Sequence, residues 1–161
     1  MTRILIPGLD LKTSRRALEL ATEHPNVFAA MGIHPSETLS YQPAMLGELR
    51  TLRAGENRAR IVAIGEIGLD YYWDDAPHDW QQVVLNHQLS LAAELNLPVI
   101  LHMREAKDVP DGDCARDMLN ILELWVSRLR SNHHSLAHNP GVLHSFSGSR
   151  VTASRALEMN F

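Results

Sequence analysis

The chain has 161 residues, 45% of them hydrophobic, which suits one ordinary globular domain, and its net charge of −4 excludes a generally basic nucleic-acid surface while leaving room for a local phosphate site. Its one cysteine, Cys114, cannot form an internal disulfide, as expected of a protein kept in a reducing compartment. No apolar run approaches the roughly 18 residues of a membrane span, and the start lacks a signal peptide's charged-then-apolar design, so the expected location is cytoplasmic, with no membrane contact and no obligate protein partner.

Taken in order, the elements alternate between strand and helix. Residues 3–7 form a short apolar strand, after which Asp10 or Thr13 can cap a helix ending near His24 and Pro25, with Ala17, Leu18, Leu20 and Ala21 at helical spacing. The stretch 8–14, "GLDLKTS", has too few glycines for a phosphate loop and reads as that helix's start. Residues 27–33 are a second strand, closed by Gly32 and Pro35. A helix over 43–52 carries Met45, Leu46, Leu49 and Leu52 on one face. The third strand spans 61–65. Residues 80–95 are the clearest helix, with Val84, Leu85, Leu89, Ala92 and Leu95 on one stripe. A fourth strand at 98–101, a helix at 118–129, a fifth strand at 141–144 and a helix at 149–159 complete the pattern, with 131–139 a polar loop.

Continuous apolar strands alternating with helices indicate a parallel sheet covered by helices, and in such folds ligands bind at the carboxyl ends of the strands. The second predicted strand ends at His34, the third at Glu66, the fourth at His102 and the fifth at His144. Adjacent strands lie about 4.8 Å apart, so these tips can converge on one small volume. Histidine and carboxylate together suit a divalent metal such as zinc or manganese. A buried carboxylate needs a partner, and two remain open for Glu66: a metal, or Arg104, two residues past His102. A lone strand-end histidine is more often structural, but four metal-capable residues in register point to a site. His24, His78, His87, His133, His134 and His138 read as surface residues, Trp73, Trp80 and Trp125 as packing, and Cys114 as structural.

Four stretches, "GIHPSE", "AIGEIGLDYYWD", "LNLPVILHMREA" and "VLHSFSG", occur in an order and at separations that resemble the TatD family of metal-dependent hydrolases. The resemblance covers nearly the whole chain. It implies a (β/α)8 TIM barrel of the metal-dependent hydrolase type, here incomplete, with about five β/α units in one partial barrel domain over 1–161. It also implies two divalent metal ions (zinc, manganese or magnesium) and hydrolysis of phosphodiester bonds, with DNA as substrate. On the matching motifs Glu66 would bridge the two metals, and His102 and His144 would hold the second. Asp70 and Arg104 would join Glu66 as catalytic groups, while His34 and Arg104 would bind the substrate phosphate. A guanidinium fork suits non-bridging phosphate oxygens. Two cations about 3.5–4 Å apart activate a water and clamp the attacking and leaving oxygens.

The family opens with an Asp-x-His-x-His strand and carries a later Thr-Asp pair, and neither is present in these 161 residues. A barrel of this class needs roughly 250 residues, so the resemblance implies the middle of such an enzyme, without its first strand and its last two. Two other classes stay open: a related hydrolase acting on amides or lactones, and a catalytically inert metal-binding fragment.

Overall fold

The computed structural model describes residues 2–73 and 75–161, with residue 108 described in its backbone only. Five parallel strands lie side by side in chain order: β1 (Ile4–Pro7), β2 (Val27–Met31), β3 (Ile61–Asp70), β4 (Val99–Arg104) and β5 (Gly141–Leu143). The connections carry α1 (Leu11–Glu23), α2 (Ala44–Ala54), α3 (His78–Leu95), α4 (Asp113–Ser131) and α5 (Arg150–Glu158). The sheet curls into half of a barrel, as expected of an α/β chain with about five β/α units. No helix among the described residues is long and apolar enough to cross a membrane.

Local chemistry sets the helix boundaries. Asp10 and Thr13, the two candidate caps, act together: Thr13 N–H donates to Asp10 Oδ1 at 2.7 Å and Asp10 N–H donates to Thr13 Oγ1 at 2.9 Å. Asn96 ends α3 in the left-handed conformation, at φ 52°. Helix α4 begins at Asp113, five residues before the predicted start. Its cap comes from outside the helix: the buried Glu105 carboxylate accepts N–H groups of Gly112, Cys114 and Ala115 at 2.8, 3.2 and 2.6 Å. A carboxylate there also opposes the helix dipole favourably.

The two faces of the sheet differ. Ala29 and Met31 of β2 join the main core with the helices, whereas Ala30 between them packs with Ala63 and Ile100 on the other face. The main core is built from α3 and α4, through residues such as Leu85, Leu89, Met118 and Leu122, set against Ile64, Ile67, Leu69 and Leu101 of β3 and β4. The segment 131–139 is not simply a polar loop. It forms a short 3-10 turn, Ser135–His138, that buries Leu136 and Ala137. His87 and His134 are likewise half-buried rather than on the surface, bonded to the Tyr41 hydroxyl (3.0 Å) and the Ala93 carbonyl (3.0 Å).

The third and fourth strands run further than their apolar runs suggest. Strand β3 continues past Glu66 to Asp70, and β4 continues past Leu101 to Arg104. Between Ile64, paired with Val99, and Ile67, paired with Leu101, β3 spends three steps where β4 spends two. That extra residue is a β-bulge, a feature that re-aims a side chain. Glu66 therefore sits inside a strand, at its irregularity, and the Gly65–Glu66 peptide is cis. Beyond the bulge Gly68, at φ +148°, is paired with His102, and a Cβ there would lie 2.0 Å from the His102 carbonyl oxygen.

Two buried glutamines on one face of α3, seven residues apart, hold the backbone around the strand tips. Gln88 accepts the Ile33 N–H at 2.7 Å and donates to the Ile33 carbonyl at 2.9 Å. Gln81 accepts the Asp70 N–H at 2.8 Å and donates to the carbonyls of Asp70 and Ala76, both at 3.0 Å. Gln88→Leu leaves both Ile33 groups buried without a partner and should cost about 2–6 kcal/mol, at about 1–3 kcal/mol per orphaned group. Urea denaturation should show a lowered midpoint at an unchanged slope; an unchanged midpoint would mean that the Ile33 segment is held by other means.

Candidate metal centre at the strand tips

Three consecutive strands deliver the central groups. His34 follows β2 and caps the short 3-10 helix Pro35–Ser40, with its Nδ1 engaged by Ser36 through the backbone N–H (3.2 Å) and hydroxyl (2.8 Å). Its Nε2 edge is then the one left for a ligand. Glu66 comes from the β3 bulge, and His102 from the middle of β4. Glu66 and Asp70 are both buried. His102 lies between them, donating from Nδ1 to Glu66 Oε1 at 3.1 Å and from Nε2 to Asp70 Oδ2 at 2.9 Å. The His34 and His102 rings meet edge to face, with centroids 4.5 Å apart.

Electrostatics follow from this packing. Burial alone would lower His102, but its hydrogen bonds to Asp70 and Glu66 outweigh it and hold the imidazole up at about 9. The same hydrogen bond keeps Glu66 below the usual carboxylate range, against its burial. Burial would raise Asp70, yet the bond from His102 leaves it lowered. His34 is driven down to about 4, first by burial and then by the neighbouring His102.

His34, Glu66 and His102 each offer one ligand atom, and these atoms lie within 4.8 Å of one another, the group among the described residues able to hold a metal ion. A nitrogen–nitrogen–carboxylate set fits zinc or another borderline divalent cation with open positions. Asp70, on the far nitrogen of His102, is placed as the carboxylate that fixes a ligating imidazole, which leaves Nδ1 for the cation. A metal must then displace the Nδ1 proton, because ligation takes neutral imidazole.

The other predicted site residues lie close by. His144 follows β5, is exposed, and bonds Ser145 Oγ through Nε2 at 3.0 Å. It faces His102 and Arg104 across a cleft of about 360 Å³. Arg104 lies over the Tyr72 ring at 4.0 Å, while Glu66 takes His102 as its partner. The structure thus brings His34 into the donor group with Glu66 and His102 and leaves His144 across the cleft.

Sequence reasoning missed Gln81, Gln88 and Glu105, which touch no ligand but fix the backbone around those that can. The signal for the glutamines was two amides seven residues apart on an otherwise apolar helix face. Cys114 is structural as expected: buried, its thiol pushed up by burial, its Sγ donating to the Leu69 carbonyl at 3.5 Å. Trp80 and Trp125 pack as expected, but Trp73 is exposed. Asp74, the last residue of the "AIGEIGLDYYWD" stretch, lies outside the described residues.

The chain as a whole is similar to known proteins. A family described as TatD related DNase matches over residues 1–161. The metal-dependent hydrolase YabD of Bacillus subtilis is 35% identical over 159 residues, covering 99% of this chain and 54% of that protein. A protein named 3'-5' ssDNA/RNA exonuclease TatD, from a Pantoea species, is 34% identical with the same two coverages. The crystal structure of YjjV, a TatD homologue from Escherichia coli, superimposes with a TM-score of 0.81 at 30% identity, covering 99% of this chain and 54% of that one. A TatD family hydrolase from Entamoeba histolytica shares the fold, with a TM-score of 0.77. The chain spans about half the length of the relatives it matches.

Asp70→Asn tests the support given to His102. The amide oxygen can still accept the loop N–H groups, while an NH2 replaces the acceptor facing Nε2. Loss of such a supporting carboxylate typically costs about 10–100-fold in metal affinity, and that is the drop expected in a zinc or cobalt titration. Unchanged affinity would remove Asp70 from the metal's support.

Proposed function

Because the chain belongs to the TatD-related DNase family of metal-dependent hydrolases, we propose that it carries His34, Glu66 and His102 of a divalent-metal site that cleaves phosphodiester bonds in DNA. The convergence of those three donor atoms at the carboxyl ends of adjacent parallel strands supports the reading. So does the name of the Pantoea relative, an exonuclease on single-stranded DNA and RNA.

Each residue has a task in this proposal. Glu66 and the two imidazoles hold the cation, and Asp70 keeps the His102 ring in position. Arg104, at the cleft wall, pairs with non-bridging phosphate oxygens as a planar fork, and His144 flanks the substrate or ligates from across the cleft. The bound cation supplies Lewis-acid polarisation of the phosphoryl oxygen. The Arg104 guanidinium in the cleft wall presents a cationic fork to an anion, which favours a phosphodiester over a neutral amide or lactone.

The test is metal retention and hydrolysis by the purified 161-residue chain. Zinc or manganese should be retained after dialysis, and labelled single-stranded DNA should be shortened in preference to a panel of small esters, amides and lactones. Glu66→Ala should lower retention and cleavage by more than the roughly 10–100-fold expected for an outer partner. Turnover of lactones or amides but not DNA would overturn the substrate assignment. Retention equal in wild type and Glu66→Ala would overturn the site.

A further inference from the structure

Immediately after β3, three consecutive aromatic side chains part ways. Tyr71 turns inward: it is buried, its hydroxyl donates to Asp117 Oδ2 at 3.0 Å, and its ring stacks on His78 with centroids 3.6 Å apart. Tyr72 and Trp73 turn outward and are 37% and 53% exposed. Their rings meet edge to face at 4.8 Å and 77°, so Tyr72 buttresses Trp73, whose exposed ring offers the open aromatic face. Arg104 lies 4.0 Å from the Tyr72 ring and 5.7 Å from that of Trp73, between the pair and the cleft that it lines with His102 and His144.

Packing does not account for this arrangement. A tryptophan half open to solvent forgoes much of its burial energy. The segment is nevertheless anchored. Asp70 Oδ1 accepts the backbone N–H groups of Tyr72 and Trp73 at 3.0 and 3.3 Å, while Oδ2 holds His102. The aromatic surface is thus fixed one carboxylate away from the imidazole of the metal centre. A planar apolar ligand group attached to an anion fits a flat face beside a guanidinium.

We propose that Tyr72 and Trp73 form a stacking platform for an unpaired nucleobase whose phosphate lies against Arg104, making this a site for single-stranded nucleic acid. The inference rests on the nucleic-acid reading above and adds a recognition element to it. Every base has a π-face, so such a platform is tolerant of sequence but requires a base that is free of its partner strand. Stacking of this kind contributes roughly 5- to 150-fold in affinity per base.

The experiment is binding without turnover, with the 161-residue chain in chelator, using a short single-stranded oligothymidylate and an abasic strand with the same number of phosphates. Trp73 is the exposed tryptophan of the three, so its emission reports the contact. The thymidylate should quench that emission and bind roughly 5- to 150-fold more tightly than the abasic strand. Trp73→Ala should abolish the difference and Trp73→Phe should keep most of it, with phosphate-driven binding of the abasic strand unchanged in both. Equal binding of the two strands by the wild type, or a preference that survives in Trp73→Ala, would overturn the platform and leave phosphodiester binding intact. Failure to bind either strand would overturn the platform and the nucleic-acid reading together.

Discussion

One imidazole shared by two buried carboxylates is the constraint on which this half-barrel turns. Glu66 and Asp70 would each be costly to bury alone, and His102 answers both, one per ring nitrogen. Removing one member of such a buried set leaves an uncompensated charge, typically a loss of about 3–5 kcal/mol. The three groups must therefore be placed together or not at all, and the surrounding structure can be understood as the means of placing them. The bulge turns the Glu66 side chain toward His102, whose partner in the strand ladder is Gly68. Gly68 permits the close approach of β3 and β4 just beyond. Gln81 and Gln88 then pin the two backbone segments that carry Asp70 and His34.

The centre is also local in the sheet. His34, Glu66 and His102 come from three adjacent parallel strands, so strand pairing and α3 suffice to assemble them. His144 depends on β5, three residues long and at the sheet's edge, and its side chain is correspondingly exposed. A site built from neighbouring tips gains precision from the rigid hydrogen-bonded ladder, which extends to the His144 backbone through its N–H to the Leu101 carbonyl at 2.8 Å. His34 joins Glu66 and His102 in the group of donor atoms within 4.8 Å of one another, and His144 lines the adjoining cleft.

Much of this was legible in the sequence, because its strongest signals are periodic. The stripe Val84, Leu85, Leu89, Ala92 and Leu95 set α3, and the apolar runs set all five strands in order. The rule that ligands collect at the strands' carboxyl ends brought out Glu66, His102, His34 and His144. The illegible parts are those where pairing or distant hydrogen bonds override local pattern. The end of β3 was hidden because Gly65 and Glu66 look like a terminus, yet Ile67 and Leu69 resume the core beyond a bulge that only the partner strand defines. The start of α4 was hidden because its cap, Glu105, belongs to the preceding loop. Trp73 read as packing because hydrophobicity records what a side chain prefers, not where a neighbouring carboxylate turns its backbone.

Asp70 ties these levels together. One of its oxygens orients an imidazole at the heart of the site; the other accepts two backbone N–H groups and so fixes the exit of β3. The direction of the Tyr72–Trp73 segment and the orientation of His102 therefore share one rigid body, itself held at its backbone by Gln81 from the helix behind the sheet. A chain that positioned its chemistry and its outward aromatic surface by separate loops would let the two drift relative to each other. Here the same buried carboxylate sets both. A group bound on the aromatic face would thus be registered against the candidate metal site by covalent and hydrogen-bonded structure alone, without a lid or a conformational change to bring them into line.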